Sequence, residues 1–242
     1  MGFFFLVAFG AIFAGAIASV AGFGIGSVLT PILAFHADTK AAVAAVSIPH
    51  VLGTAIRFWR LRGYVDRRVL LHFGIASAAG GLVGAVLHAY AESPALTGLF
   101  GGLLIFAGVA GLTGLSSKMR FGRVTAYAAG AASGAFGGLV GNQGGIRSAA
   151  MLGFQIPKES FVATATAIAL IVDAARIPVY CVTEGHQILG LWRTVSIAAA
   201  GVLAGTLFGE KILRRVPEPL FRRLVSAVIL ALGVFELWQI RP

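Results

Sequence analysis

The chain has few charged residues and only one cysteine. Of its 242 residues, 12% are Asp, Glu, Lys or Arg, whereas a soluble domain carries about 25%. The single cysteine, Cys181, excludes an intramolecular disulfide and a multi-cysteine metal site. The sequence also lacks the close His-x-x-x-His spacing of a metalloenzyme and the period-2 alternation of a membrane β-barrel. These absences disfavour a soluble protein with a large core, a metal site and a barrel.

Apolar sequence is what the chain has instead. Hydrophobic residues make up 58% of it, and the mean hydropathy is +0.90. Several uncharged runs approach or exceed the ~20 residues with which a helix spans a bilayer. The apolar N-terminus has no basic n-region, so we interpret it as structure and not as a signal peptide. We predict an all-α polytopic membrane protein with apolar segments at 3–35, 41–58, 69–90, 96–116, 124–154, 160–182, 190–210 and 221–239.

The net charge of +10 comes from short basic clusters between the apolar segments. Such clusters mark the cytoplasmic side and bind acidic lipids of the bilayer, so they indicate a membrane protein with an anionic cargo and no nucleic acid. With the clusters at 57–68, 118–123 and 211–223 inside, segment 124–154 must start and end on the same side. It is therefore predicted to be a hairpin or re-entrant pair of partial helices.

The second half of the chain repeats the first. Positions that match at an offset of 119 residues include Gly22 with Gly141, Gly26 with Gly145, and Arg57 with Arg176. The repeats, about 1–117 and 118–242, form a single transmembrane domain, because neither half could satisfy its polar backbone alone. The charge-derived topology makes the halves antiparallel. We predict two inverted-topology repeats, each a glycine-broken helical hairpin plus three transmembrane helices, as in many secondary transporters.

Two glycine-rich stretches interrupt the segments that open the repeats, AGFGIG at 21–26 and VGNQGG at 140–145. Glycine permits a turn within the membrane, and the half-helix that follows points free N–H groups at the midplane. We therefore predict an anion site between the two turns, with small-residue helix packing as the alternative. The candidate substrate-binding residues are Gly22, Phe23, Gly24, Gly26, Ser27, Thr30, Gly141, Asn142, Gln143, Gly144, Gly145, Arg147 and Ser148.

The pairing of AGFGIGSVLTPIL with GLVGNQGGIRSAAML resembles the sulfite exporter TauE/SafE family of bacterial membrane permeases. The resemblance covers essentially the whole chain. It implies a transporter, not an enzyme, for a small anionic substrate, either a sulfur-containing oxyanion or an organosulfonate. It also implies no cofactor beyond a coupling proton or cation. The substrate and the direction of transport are not fixed by the resemblance, and neither is the oligomeric state.

Arg147 is the candidate countercharge for the anion, because its planar guanidinium suits a sulfonate or carboxylate. Snorkelling to the interface or pairing with an acid is the alternative. Asp173 and Arg176 share a helix face at i,i+3 spacing, which favours an internal salt bridge. The functional alternative makes Asp173 a group that binds the coupling ion.

Two further residues are candidates for coupling or gating. His50 follows Pro49 within a predicted helix, where a packed, hydrogen-bonded histidine is favoured over a titrating one. Arg57 lies beside Arg60 and Arg62, which favours a position at the membrane boundary over contact with a ligand.

Other functions stay open. An anion channel can also use re-entrant loops and helix dipoles, and a transporter could carry a small carboxylate instead. An intramembrane hydrolase, with Ser27 as nucleophile and His50 or His72 as base, is disfavoured because it leaves the duplication unexplained. Our favoured mechanism is alternating access, in which one repeat rocks against the other around the bound anion.

Overall fold

A computed structural model describes residues 2–90, 93–115, 123–140 and 156–213, the single residues 144, 147, 151 and 154, and scattered residues between 217 and 238. Every regular element among these residues is helical. The described residues of the first half form α1 (Gly2–Ala21), α2 (Ile25–Ala34), α3 (Thr39–Leu61), α4 (Arg67–Val69), α5 (Ile75–Tyr90) and α6 (Ser93–Leu112). Those of the second half form α7 (Arg123–Val140), α8 (Lys158–Thr183), α9 (Gly185–Gly190) and α10 (Trp192–Leu213).

Two carboxylates cap the starts of α3 and α4. The Asp38 side chain accepts a hydrogen bond from the backbone N–H of Ala41 at 3.0 Å, which caps the start of α3. The Asp66 side chain accepts from the N–H of Val69 at 3.0 Å and caps α4. A 3-10 turn (Arg62–Tyr64) follows α3, and a π-helical turn (Leu70–Gly74) joins α4 to α5.

Several helices have the length and composition of membrane spans. Within the described residues, the stretches that qualify are Gly2–Ser19, Thr39–Tyr64, Arg67–His88 and Ser160–Thr183. Large apolar side chains such as Phe5, Phe9 and Ile75 are exposed on the outer surface, where a soluble protein would place polar groups. The described part of the chain is therefore an all-helical, polytopic membrane-type fold. The predicted last segment, 221–239, lies largely outside the described residues.

The first glycine motif breaks the helix where the sequence predicted a turn. Gly22 has φ 80° and Gly24 has φ 131°, a backbone region that residues with a Cβ rarely adopt. The two helices beside this turn differ from the predicted pair of partial helices. At 1.5 Å per residue, the 20 residues of α1 extend about 30 Å, which is enough to cross the hydrocarbon core. Only α2, with 10 residues, is a half-length helix.

Two long helix pairs pack through glycines on opposite flanks of the fold. α1 packs against α10, and α5 packs against α7. A Cβ added to Gly84 would lie 2.0 Å from the carbonyl oxygen of Ala135, and one added to Gly205 would lie 2.0 Å from that of Ile12. The backbones approach so closely only because these positions have no side chain. Gly84 and its neighbours at 78–85 thus have the packing role that small residues predict.

The helices α3 and α8 lie at the centre of the fold. They pack against each other, and each also packs against one flanking pair: α3 against α10, and α8 against α5. The order of neighbours is therefore α1, α10, α3, α8, α5, α7. Exchanging each helix for its counterpart in the other half (α1 for α7, α3 for α8, α5 for α10) reverses this order and keeps the same pairs of neighbours. The two central helices carry most of the buried charged side chains.

Candidate functional site

Charged side chains are buried in the middle of the fold, where unpaired charge is costly. Asp173 is 0% exposed, Arg147 and Arg176 are 1% exposed, and Arg57 is 3% exposed. α3 supplies Arg57, α8 supplies Asp173 and Arg176, and Arg147 follows the second glycine motif. These residues need partners within the protein or a ligand, because neither lipid nor water reaches them.

Asp173 is the centre of a buried three-residue network. Arg176 Nε donates to Asp173 Oδ1 at 2.9 Å, and Arg176 Nη2 lies 2.7 Å from the same oxygen. His50 Nδ1 lies 2.6 Å from Asp173 Oδ2. The salt bridge predicted from the i,i+3 spacing is therefore present, and both carboxylate oxygens are engaged. Sequence reasoning missed the link between His50 and Asp173, because the two residues are 123 positions apart.

Arg176 also connects this network to α7. One of its terminal nitrogens donates to the carbonyl of Gly137, and the Tyr180 hydroxyl donates to the carbonyl of Gly138. Both carbonyls lie near the C-terminal end of α7, where helix carbonyls lack intrahelical donors. The guanidinium of Arg176 is thus neutralised by a carboxylate and held by backbone, which makes it a fixed part of the fold.

Arg57 has a different environment. Its Nε donates to the Thr166 hydroxyl on α8 at 2.9 Å, and its Nη1 has no partner among the described residues. Arg57 is buried within the protein while Arg60 is exposed, and the predicted position of Arg57 at the membrane boundary stays a prediction. The side chain points inward along α3 toward the α8 interface. The threonine that holds it was not singled out in the sequence.

The two glycine motifs meet in the structure. Arg147 Nη2 lies 3.5 Å from the carbonyl oxygen of Gly22, and Phe23 lies against Gly144 so closely that a Cβ there would be 2.5 Å from that of Phe23. Arg147 is buried and does not snorkel. Its Nε and Nη1 have no hydrogen-bond partner among the described residues. The other predicted residues of the second motif, Gly141, Asn142, Gln143, Gly145 and Ser148, lie outside the described residues.

The first motif supplies the start of a short buried helix. Gly24 precedes α2 and no side chain caps its first turn, so backbone N–H groups there have no intrahelical acceptor. Gly26, Ser27 and Thr30 are all buried on α2, and the Thr30 hydroxyl has no partner in the part of the chain that is described. The positive end of this helix lies near the Gly22 carbonyl that Arg147 contacts.

This arrangement suits an anion. Guanidinium N–H groups, hydroxyls and a helix N-terminus are all donors, and the Asp173 carboxylate is already engaged by Arg176 and His50. Within the described residues no cluster of three or more His, Cys, Asp or Glu side chains has the arrangement of a metal site.

Comparison with known families gives one match. The model of the family described as "Sulfite exporter TauE/SafE" matches residues 7–235, which is nearly the whole chain. Comparisons with curated proteins and with solved structures return no match.

Proposed function

Because the chain belongs to the sulfite exporter TauE/SafE family, we propose that it is a secondary transporter for a sulfur-containing oxyanion or organosulfonate. The family implies a membrane transporter of sulfite or related sulfur anions. We further propose that the substrate binds between the two glycine motifs, with Arg147 as its main countercharge. We place the protein in the inner (plasma) membrane, with its basic loops on the cytoplasmic side against acidic lipids.

The observation that carries this proposal is that Arg147 is buried with nitrogens that have no described partner. Its guanidinium is buried, makes one long contact with the Gly22 carbonyl, and has two nitrogens without partners among the described residues. A buried cation without a partner is unfavourable, and a bound anion removes the cost. An oxyanion of sulfur offers several acceptor oxygens to the fork of the guanidinium.

The proposed movement is alternating access between two inverted repeats. The order of helix neighbours supports it, because the arrangement around α3 and α8 is unchanged when the halves are exchanged. An anion held where the two motifs meet lies at the junction of the halves. Rocking of one half against the other then exposes the anion to each side in turn.

A proton is the proposed coupling ion, and the network of His50, Asp173 and Arg176 is its proposed site. The charged groups that face His50 are Asp173 and Arg176 on α8 and Arg57 on its own helix. A proton taken up here changes the charge beside the anion site without displacing the anion. Asp173→Asn should then retain exchange of substrate across the membrane and lose accumulation driven by a pH gradient, measured in proteoliposomes.

The experiment that tests the function compares wild type with Arg147→Ala in proteoliposomes. Wild type should take up radiolabelled sulfite or thiosulfate with saturation and respond to an imposed pH gradient. Arg147→Ala should lose at least about 90% of this uptake while remaining folded, because truncating one member of a buried charge pair costs 2–5 kcal/mol. Arg60→Gln, which changes an exposed arginine, is the matched control.

Three outcomes would contradict the proposal. Flux that rises linearly with substrate and ignores the gradient indicates an anion channel. Uptake of small carboxylates with no sulfur anion transported indicates a carboxylate transporter. Full uptake by Arg147→Ala means that Arg147 is not the countercharge.

A further inference from the structure

We infer that Arg57 is a second anion anchor beside Arg147, and that the pair selects a doubly charged anion over a singly charged one. The inference rests on the proposed function, because it assigns the substrate class of the same site. It starts from Arg57, whose burial differs most from what the sequence suggested.

Arg57 is held in place without being neutralised. Its Nε donates to the Thr166 hydroxyl at 2.9 Å, and that hydroxyl donates in turn to the carbonyl of Val162 at 2.7 Å. Both acceptors are neutral. Arg57 Nη1 has no hydrogen-bond partner among the described residues, and water does not replace one because the residue is only 3% exposed. The contact with Thr166 orients the guanidinium and leaves its charge and one terminal nitrogen available.

Arg147 is connected to the same part of α8 through Gly22. It contacts the carbonyl of Gly22, and a Cβ added to Gly22 would lie 3.7 Å from the Cα of Val162. Val162 and Thr166 are one helical turn apart. Gly22, which Arg147 contacts, and Thr166, which holds Arg57, therefore both lie at this part of α8. Two like charges in a buried region are stable together only with an anion between or beside them.

The described buried side chains carry an excess of two positive charges in this region. Three arginines, Arg57, Arg147 and Arg176, lie in this region against one described carboxylate, Asp173, which Arg176 engages. The other buried acid that is described, Glu184, pairs with Lys40 at 3.5 Å. A dianion matches the excess of the two remaining guanidinium groups, whereas a monoanion leaves one of them uncompensated.

A hydroxyl beside Arg57 completes the proposed clamp. Thr54 precedes Arg57 by three residues and therefore lies on the same face of α3. Its Oγ1 is buried and has no partner among the residues that the structure describes. A hydroxyl can donate to an oxyanion without adding charge, so it contributes to affinity but not to selection by charge.

The test uses two anions that share a tetrahedral sulfur. Sulfate carries two charges, and methanesulfonate replaces one oxygen with a methyl group and carries one. Thiosulfate is a second doubly charged probe. Isothermal titration of the purified protein in detergent should show that wild type binds sulfate or thiosulfate at least about tenfold more tightly than methanesulfonate.

Arg57→Gln should remove that preference. The affinity for the doubly charged anion should fall at least about tenfold, while that for methanesulfonate stays within about threefold, because one buried charge suffices for a monoanion. Arg60→Gln on the same helix should leave both affinities unchanged. If Arg57→Gln does not fold, Arg57→Lys takes its place. That variant should keep the preference for two charges, because it keeps the charge, and bind the dianion more weakly, because it loses the fork.

The contrary results are distinct from one another. Equal binding of sulfate, thiosulfate and methanesulfonate by wild type overturns selection by charge and leaves the transporter proposal standing. Equal weakening of all three anions by Arg57→Gln overturns the role of Arg57 in that selection. If wild type binds none of these anions and no sulfite, the proposed function itself fails.

Discussion

Arg57 and Arg176 match at the 119-residue offset of the two predicted repeats, and their surroundings in the structure differ. Both are buried in the central helices α3 and α8. Arg176 is three residues after Asp173 and is bound by its carboxylate. The residue three before Arg57 is Thr54, which supplies no charge. The two arginines therefore differ in the residue three positions before them, and only Arg176 has its charge paired by a carboxylate there.

This difference assigns separate roles to the repeats. The Arg176 side forms a closed network with Asp173 and His50, in which the charges are paired. On the Arg57 side, one guanidinium nitrogen has no described partner, and Arg147 has two such nitrogens. In the proposed function, the closed network of paired charges holds the coupling proton, and Arg57 and Arg147 bind the anion.

The largest change in stability is expected from breaking the closed network of His50, Asp173 and Arg176. Asp173→Ala leaves Arg176 and His50 buried without their carboxylate, and removing one partner of a buried ion pair costs about 3–5 kcal/mol. Thermal unfolding in detergent should show a strongly lowered midpoint. Thr54→Val at the equivalent position should change stability by less than about 1 kcal/mol, because it removes a hydroxyl that has no described partner. Equal losses at the two positions would remove the distinction between the repeats.

Helix packing should instead respond equally in the two repeats. Gly84→Ala and Gly205→Ala each place a Cβ 2.0 Å from a carbonyl oxygen of the facing helix. Each should cost about 1–3 kcal/mol of stability, because overpacking forces backbone to move. Gly63→Ala, at a glycine with nothing near its missing side chain, is the control. A large loss in one repeat and none in the other would contradict the symmetric packing.

A smaller change, in the affinity for the anion, is expected from placing an acid beside Arg57. Thr54→Asp places a carboxylate three residues before Arg57, as Asp173 precedes Arg176. The affinity for a sulfur dianion should fall about tenfold, since a neutralised Arg57 no longer attracts it. The unliganded protein should melt at the same temperature or higher. Unchanged affinity, measured by titration calorimetry, would mean that Arg57 does not face the anion.

The features predicted from the sequence are those set by local spacing. The turn at Gly22 and Gly24 follows from glycine in an apolar helix, and the Asp173–Arg176 bridge follows from i,i+3 geometry. Packing glycines at 78–85 follow from small residues in a membrane helix. Each of these depends on a few neighbouring residues, so one stretch of sequence contains the necessary information.

The features that were missed depend on how α3 meets α8. The His50–Asp173 contact joins residues 123 positions apart, and the Arg57–Thr166 contact joins residues 109 apart. Nothing local marks these pairs. The burial of Arg57 was not predicted, because its basic neighbours are typical of a membrane boundary, whereas α3 continues to Leu61 and packs Arg57 against α8. A pair of partial helices was predicted because segment 3–35 is short for two full crossings, whereas α1 takes 20 of its residues and leaves only 10 for α2.

A thermal-shift panel on wild type and Arg147→Ala measures directly whether an anion binds at Arg147. The anions are sulfite, thiosulfate, sulfate, sulfoacetate, aryl sulfonates and carboxylates. A ligand that binds only the folded state raises its stability, by about 2.7 kcal/mol at a concentration one hundred times its Kd. We predict that at least one sulfur anion raises the melting temperature of wild type and leaves that of Arg147→Ala unchanged. An equal shift in both proteins, or no shift by any sulfur anion in wild type, would contradict an anion site at Arg147 between the two glycine motifs.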